Sequence, residues 1–123
     1  MLKYTFLAFT NPTQGKEDEY NAWYDEHHLK EVINVPGFIS ARHFRLATAQ
    51  FPFNTVTPGY RYLALYEIET DDIAAALNEV AARAGTADMT MIDGIDVSTL
   101  RAPVYEEITP EILAKDVQRV RRV

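Results

Sequence analysis

The stretch from Glu17 to Phe38 constrains the fold of this chain more than any other. Glu17, Asp18 and Glu19 place negative charge where a helix begins, which suits the positive end of its dipole. Beyond them Tyr20, Trp23, Tyr24 and His27 fall on neighbouring positions of a 3.6-residue period, and Tyr24, His28 and Val32 form an adjoining row at i, i+4 and i+8. Pro36 pushes Val35 out of the α region, so the helix is expected to end at about Asn34 and to turn through Gly37 into Phe38. A helix with an aromatic stripe of this width needs a sheet to bury it, and strand-like runs stand on both sides of it.

The first of these, Leu2 to Thr10, sets Tyr4, Phe6, Ala8 and Thr10 against Thr5, Leu7 and Phe9 and closes at Asn11-Pro12. After the helix, Phe38 to Leu46 reads as a strand, with Phe38, Ser40, Arg42 and Phe44 on one face and Ile39, Ala41, His43 and Arg45 on the other. Ala47 to Gly59 is a loop long enough to serve as a lid or binding loop, and its Phe51 and Phe53 are expected over a pocket mouth or against a partner. Tyr60 to Glu69 is the strongest strand, with Tyr60, Tyr62, Ala64, Tyr66 and Ile68 on one side. Thr70-Asp71-Asp72 then caps a helix whose stripe of Ile73, Ala76, Leu77, Val80, Ala81 and Ala84 stops at Gly85. Thr86 to Gly94 is irregular, with Met89, Met91 and Ile92 as apolar cover. A fourth strand follows within Ile95 to Glu107, restricted by Pro103, and Thr109-Pro110 opens a C-terminal segment, Glu111 to Val120, with Ile112, Leu113, Val117 and Val120 on its apolar face.

The order β-α-β-β-α-β predicts an α+β, ferredoxin-like domain: an antiparallel four-stranded sheet with both helices on one face. At 123 residues the chain has room for this single domain, 1–123, with 109–123 as an extension. The helix-free face carries aromatic and aliphatic side chains, and a second copy of the chain covers it most simply, which predicts a homodimer with face-to-face sheets.

A net charge of -6 disfavours nucleic acid as a partner, since phosphate binding rests on clustered Lys and Arg. The one basic cluster, Arg119, Arg121 and Arg122, reads as a solvated tail. Without cysteine there is no disulfide, thiolate nucleophile or Cys-ligated metal. No apolar run reaches the ~20 residues of a membrane span and no signal-peptide pattern is seen, so a cytoplasmic location is the default expectation. Nucleotide loops and the serine-hydrolase elbow are missing too.

Three motifs, Asn21-x-Trp23-Tyr24-Asp25-x-x-His28-Leu29, Val35-Pro36-Gly37-Phe38-x-x-Ala41 and Tyr62-Leu63-Ala64-Leu65-Tyr66-Glu67, resemble an EthD-like branch of the dimeric α+β barrel superfamily, as does the ending Tyr105-Glu106-x-Ile108-Thr109-Pro110. The resemblance covers nearly the whole chain and implies that fold and a dimer. It says little about function, because the superfamily includes cofactor-free monooxygenases, cyclases, isomerases, lyases and haem enzymes. The family's helix-one histidine falls on His28. Two positions depart from the pattern: Lys30 stands where proline is frequent, and His43, with Arg42 and Arg45 beside it, stands where arginine is usual.

The chemistry expected from these residues is a pocket between the first helix and the sheet. There His28 acts as general acid or base, because imidazole both takes and returns a proton near neutrality. Tyr24, or a strand-three tyrosine, polarises a carbonyl or phenol, and Asp25, three residues before His28, holds its tautomer. Trp23, Arg42, His43, Tyr62, Tyr66 and Phe51 complete the expected substrate contacts. A purely structural His28, satisfied by a carbonyl or carboxylate, stands as the alternative. Adjacent His27 and His28 point about 100° apart on a helix, so no metal site is expected, and nothing in the sequence calls for haem or another cofactor. The leading functional expectation is a cofactor-independent lyase or isomerase acting on a small hydrophobic, aromatic or polyketide-like molecule. The competing ones are a non-catalytic protein that binds such a molecule and a cofactor-free monooxygenase.

Overall fold

The computed structural model describes residues 1–53 and 59–117, so the predicted loop is described only in part, and Val120 with the Arg119, Arg121 and Arg122 cluster lies outside the described residues. Four strands, β1 (Leu2–Thr10), β2 (Phe38–Arg45), β3 (Tyr62–Thr70) and β4 (Val104–Glu106), form one sheet in the order β2-β3-β1-β4. All three pairings are antiparallel. This is the ferredoxin-like arrangement that the element order predicts.

The β1–β3 register sets Tyr4 opposite Ile68, Phe6 opposite Tyr66, Ala8 opposite Ala64 and Thr10 opposite Tyr62. These residues alternate with Thr5, Leu7, Phe9, Leu63 and Leu65, so one face of the two central strands is a near-continuous buried layer. Tyr20, Trp23, Tyr24 and Val32 of the first helical segment pack on that layer, and Ala76 of the second helix packs on it beside Tyr4 and Ile68.

The first helical segment is not uniform. It comprises α1 (Glu17–Trp23), a π-helical turn (Tyr24–His28) and α2 (Leu29–Ile33), running without a break in the helical backbone. A π turn holds one more residue than an α turn and is most often found where a site has been built into a helix. Across this turn Tyr24 and His28 are buried and His27 is exposed. The segment ends where Pro36 predicts, and Gly37 takes a φ of +96°. A side chain at Gly37 would meet Thr70 Cβ at 3.4 Å, and the Gly37 carbonyl accepts from Glu69 N at 2.8 Å, so the turn is held tightly to the end of β3. The last long helix, α3 (Ile73–Arg83), is capped as expected: Asp72 Oδ1 accepts from Ala75 N at 3.0 Å.

Two expectations are corrected. A bulge between Phe38 and Ser40 puts an extra residue, Ile39, into β2. Phe38 therefore shares the helix-covered face with Ala41 and His43, and Ser40, Arg42 and Phe44 take the open one. The apolar residues of Glu111 to Val117 do not make a helical face either; the segment has a single 3-10 turn, Ala114–Asp116, and Ile112, Leu113 and Val117 are exposed. In a lone protomer nothing stands opposite them to reward a helix.

Candidate functional site

Between the first helical segment, the buried face of the sheet and α3 lies a cavity of about 200 Å³. Phe6 and Ala8 of β1, Tyr66 of β3, Val32 of α2, Val80 of α3, and Met89, Ile95 and Leu100 of the following segment give it an apolar wall. The polar side chains among its lining residues are His28, Tyr24 and Tyr66. Pockets for drug-sized ligands start at about 300 Å³; this one is smaller, close to the ~150 Å³ that admits a benzene ring.

His28 is 8% exposed and its ring stacks on Trp23 with centroids 4.2 Å apart. Trp23 does not line the cavity. It stands behind the imidazole, tied by Nε1 to the Thr90 carbonyl at 3.0 Å. Tyr24 meets His28 edge-on at 5.2 Å. Two buried polar atoms of the cavity residues, His28 Nδ1 and the Tyr66 hydroxyl, have no hydrogen-bond partner among the described residues. Buried polar atoms are nearly always paired, so two unpaired atoms on residues that line one small cavity single it out as the candidate site.

Burial, reinforced by the nearby His43, lowers the His28 pKa to about 4, which leaves the imidazole neutral at pH 7. Burial pushes the Tyr24 hydroxyl up to about 12, against the pull of a hydrogen bond with Thr10, and raises Tyr66 as well. The His28 shift has a consequence for stability. Its folded pKa lies below the unfolded value, so the unfolded chain binds the extra proton, and stability is complete above about pH 6.5 and declines as pH falls toward 4. Between pH 7 and 4 wild type is expected to lose about 3 kcal/mol more than His28→Leu in parallel urea titrations. Equal pH dependence in the two proteins would show that His28 is not buried in this way.

The other expected site residues are placed elsewhere. Asp25 does not hold His28; it is exposed, and its Oδ1 lies 3.3 Å from His43 Nδ1. The turn that rotates His28 inward leaves Asp25 on the outer side, above β2. His43 stacks on Tyr24 at 4.3 Å and on Tyr62 at 5.4 Å but does not line the cavity. Tyr62 donates to Glu17 and accepts from Asn21 Nδ2 at 3.1 Å, also outside the cavity. Arg42 lies on the open sheet face, over the Phe44 ring at 5.1 Å. Phe51 is edge-on to Phe53 in the loop and does not line the cavity. Of the nine residues expected at the site, His28, Tyr24 and Tyr66 meet there.

Thr10, on one face of the first strand, and Tyr20, on the aromatic stripe of the helix, are both fully buried. They are also bonded to each other, with Thr10 Oγ1 at 2.5 Å from the Tyr20 hydroxyl, and the latter lies 3.2 Å from His43 Nε2. The signal was present: Thr10 is the one aliphatic hydroxyl on a strand face otherwise made of Tyr4, Phe6 and Ala8, and its position two residues past Ala8 sends it under the helix. Among the described residues no group of three or more His, Asp or Glu converges to hold a metal ion, and no helix is long and apolar enough to cross a membrane.

No family model matches the sequence, and comparison with curated proteins gives no match. Solved structures do match. A candidate monooxygenase from Shewanella loihica is similar over 89% of this chain and 99% of its own, with a TM-score of 0.57 at 12% identity. A mutant of MhuD, with two manganese protoporphyrin IX molecules bound per active site, is similar over 90% of this chain and 99% of its own, with a TM-score of 0.55 at 19% identity. The protomer has the fold of the dimeric α+β barrels. An EthD family protein from Bacillus halodurans also matches, over 88% of this chain and all of its own, at 14% identity and a TM-score of 0.47. At 12% and 19% identity the likeness to the first two structures speaks for the fold. The cavity here does not fit a porphyrin, since about 200 Å³ falls below even the ~300 Å³ lower bound for drug-sized ligands.

Proposed function

We propose that the protein takes a small, single-ring phenolic or enolisable molecule into the cavity and moves a proton on it, as an isomerase or lyase does. The observation that carries this reading is the pair of unpaired buried atoms, His28 Nδ1 and the Tyr66 hydroxyl, on two residues that line a mostly apolar cavity. A neutral imidazole presents one acceptor and one donor, and a tyrosine hydroxyl presents both, so together they can receive an O–H and a carbonyl of the same molecule. Apolar surroundings strengthen such bonds and keep competing water away. The volume favours one ring over a fused polyketide skeleton.

A second reading, oxygen chemistry on the deprotonated phenol, is supported by the name given to the Shewanella structure. A third, binding without turnover, needs the same cavity and no proton transfer. One experiment separates them: p-nitrophenol and a panel of single-ring phenols and cyclic 1,3-diketones are titrated into the protein, then followed for solvent deuterium incorporation and for oxygen uptake. Deuterium exchange at carbon that depends on the protein is the expected result. Oxygen uptake instead selects the second reading, tight binding with neither selects the third, and no binding by any member sinks all of them.

The reading includes a homodimer. The open sheet face carries Leu7, Phe9, Leu63, Leu65 and Phe44 at its centre, with a further apolar groove of about 270 Å³ lined by Phe9, Phe44, Tyr60 and Leu63. Both helices lie on the other side, so a second sheet of the same sequence is the occupant that matches it in shape and chemistry.

A further inference from the structure

Behind the cavity wall, oxidisable aromatic rings stand in a row. Trp23 and Tyr24 have ring centroids 4.8 Å apart, Tyr24 and Tyr20 4.9 Å apart, and Tyr20 and Tyr62 5.0 Å apart. Tyr24 lines the cavity. Tyr62, at the other end, lines a separate surface groove of about 350 Å³ together with Asn21, Asp25, His43 and Arg45. The row therefore joins the cavity to the surface, and each of its links is a direct ring contact.

Contact alone does not make a phenol a one-electron donor. A tyrosine that loses an electron becomes strongly acidic, so its oxidation is easy only where a base within hydrogen-bond reach takes the hydroxyl proton. Tyr20 and Tyr62 each have one. The Tyr20 hydroxyl lies 3.2 Å from His43 Nε2, and His43 Nδ1 lies 3.3 Å from Asp25 Oδ1. The Tyr62 hydroxyl donates to Glu17, which Arg61 also holds at 2.7 Å. An exposed carboxylate such as Asp25 only accepts, so His43 carries its proton on Nδ1 and leaves Nε2 to accept from Tyr20. Thr10 Oγ1, 2.5 Å away, then donates to the Tyr20 oxygen. The two bases differ in strength. Glu17 is held low by its bonds from Tyr62 and Arg61, whereas burial lowers His43 and Asp25 counters it, ready to stabilise an imidazolium. Tyr20 is thus the better electron donor of the pair.

We propose that Tyr20, with His43 and Asp25 behind its hydroxyl, is a reversible one-electron donor that discharges radicals arising in the cavity, and that the electron refilling it enters through Tyr62 from a small reductant in the surface groove. This is a protective activity beyond the proton chemistry proposed above. The oxidant is a phenoxyl radical, formed when a phenolate in the cavity loses one electron to dioxygen, which departs as superoxide. The phenoxyl draws an electron from Tyr20 through the Tyr24 ring and returns to phenolate. As Tyr20 is oxidised its O–H bond breaks, the proton forms an N–H bond at His43 Nε2, and a neutral tyrosyl radical remains. Tyr62 then gives its electron to Tyr20 while His43 returns the proton, and the Tyr62 proton passes to Glu17. An enediol reductant of the ascorbate type restores Tyr62 with one electron as Glu17 hands its proton back, and leaves as its own radical. Each electron lost by the reductant is gained by the phenoxyl, and every protein group ends as it began.

Trp23 is the one tryptophan of the chain and touches Tyr24, so selective photoionisation of tryptophan places a hole at the inner end of the row with no ligand present. In the full wild-type chain the absorption of the indolyl radical is expected to give way to that of a tyrosyl radical, and electron paramagnetic resonance is expected to show that radical hydrogen-bonded to an imidazolium. Tyr20→Phe, which keeps the ring and removes the hydroxyl, is expected to leave the indolyl radical long-lived. His43→Phe keeps a ring against Tyr24 and Tyr62 and removes the base, and is expected to slow tyrosyl formation roughly tenfold or more. Asp25→Asn, at the exposed end where folding is not at stake, is expected to slow it by less. Tyr105→Phe, on β4 away from the row, is expected to change nothing. Ascorbate is expected to quench the tyrosyl radical faster in wild type than in Tyr62→Phe, and equal rates would remove Tyr62 as the way in. Tyrosyl formation as fast in Tyr20→Phe and Asp25→Asn as in wild type, or a radical that disappears with Tyr105→Phe, would overturn the donor role of Tyr20. Because no phenol is added, these outcomes are separate from whether the cavity binds one.

Discussion

Leu65→Asp is expected to convert the protein from a species of twice 14.0 kDa to one of 14.0 kDa in sedimentation equilibrium. Leu65 stands between Leu7 and Arg42 at the middle of the open sheet face, and Leu63, two residues earlier, stands between Phe9 and Phe44. A carboxylate driven into that layer costs several kcal/mol when it finds no partner. A two-fold axis repeats every substitution, so the penalty falls on both subunits and the dissociation constant is expected to rise roughly a thousandfold or more. Because the buried face of the protomer is untouched, the circular dichroism of the variant should match that of wild type. A wild type that sediments as a monomer, or a Leu65→Asp variant that stays dimeric, would remove the sheet-to-sheet interface.

The second expectation sets stability against binding at one atom. The Tyr66 hydroxyl is buried beside the cavity with no partner among the described residues, a position that costs about 1–3 kcal/mol. Tyr66→Phe removes the hydroxyl and leaves the ring against Phe6 and Phe38. The variant should therefore be more stable, by about 1–2 kcal/mol or roughly 4–8 °C in Tm, and should bind p-nitrophenol roughly tenfold less tightly. Most core substitutions lose stability and binding together, so opposite signs are diagnostic. Lower stability would mean that the hydroxyl is satisfied in solution, and unchanged affinity would mean that it does not face the ligand.

The fold was legible wherever a local rule has a single physical reading. Asp72 caps α3 because its carboxylate reaches the Ala75 amide, and Pro36-Gly37 ends the first helical segment because one residue forbids the α region before it and the other supplies a positive φ. Alternation assigned both faces of β1 and β3 correctly. It failed at the start of β2, because a strict period of two has no means of seeing an added residue, and Ile39 is such a residue. Similarly, a 3.6-residue period put Asp25 within reach of His28. The wide turn at Tyr24–His28 instead left Asp25 free to meet His43, which arrives from a strand 18 residues later in the chain. Tyr62 and Arg42 were expected at the site from residue type alone; the register decides otherwise, giving one to Glu17 and the other to the open face. His28 is the part of the site that the sequence identified most directly, since only one of the adjacent histidines falls on the row of Tyr24 and Val32.

The π turn also separates ancestry of scaffold from ancestry of chemistry. It amounts to one residue inserted into a helix, and removing a single residue between Trp23 and Leu29 would restore an uninterrupted spiral and swing the upstream aromatic cluster and the downstream Val32 anchor about 100° relative to each other. A descendant that lost this residue would have to choose which half of the spiral stays docked. Keeping the upstream half docked preserves an ordinary β-α-β-β-α-β domain and withdraws an imidazole from the hollow beneath it, so inheriting this architecture does not by itself mean inheriting its reactivity.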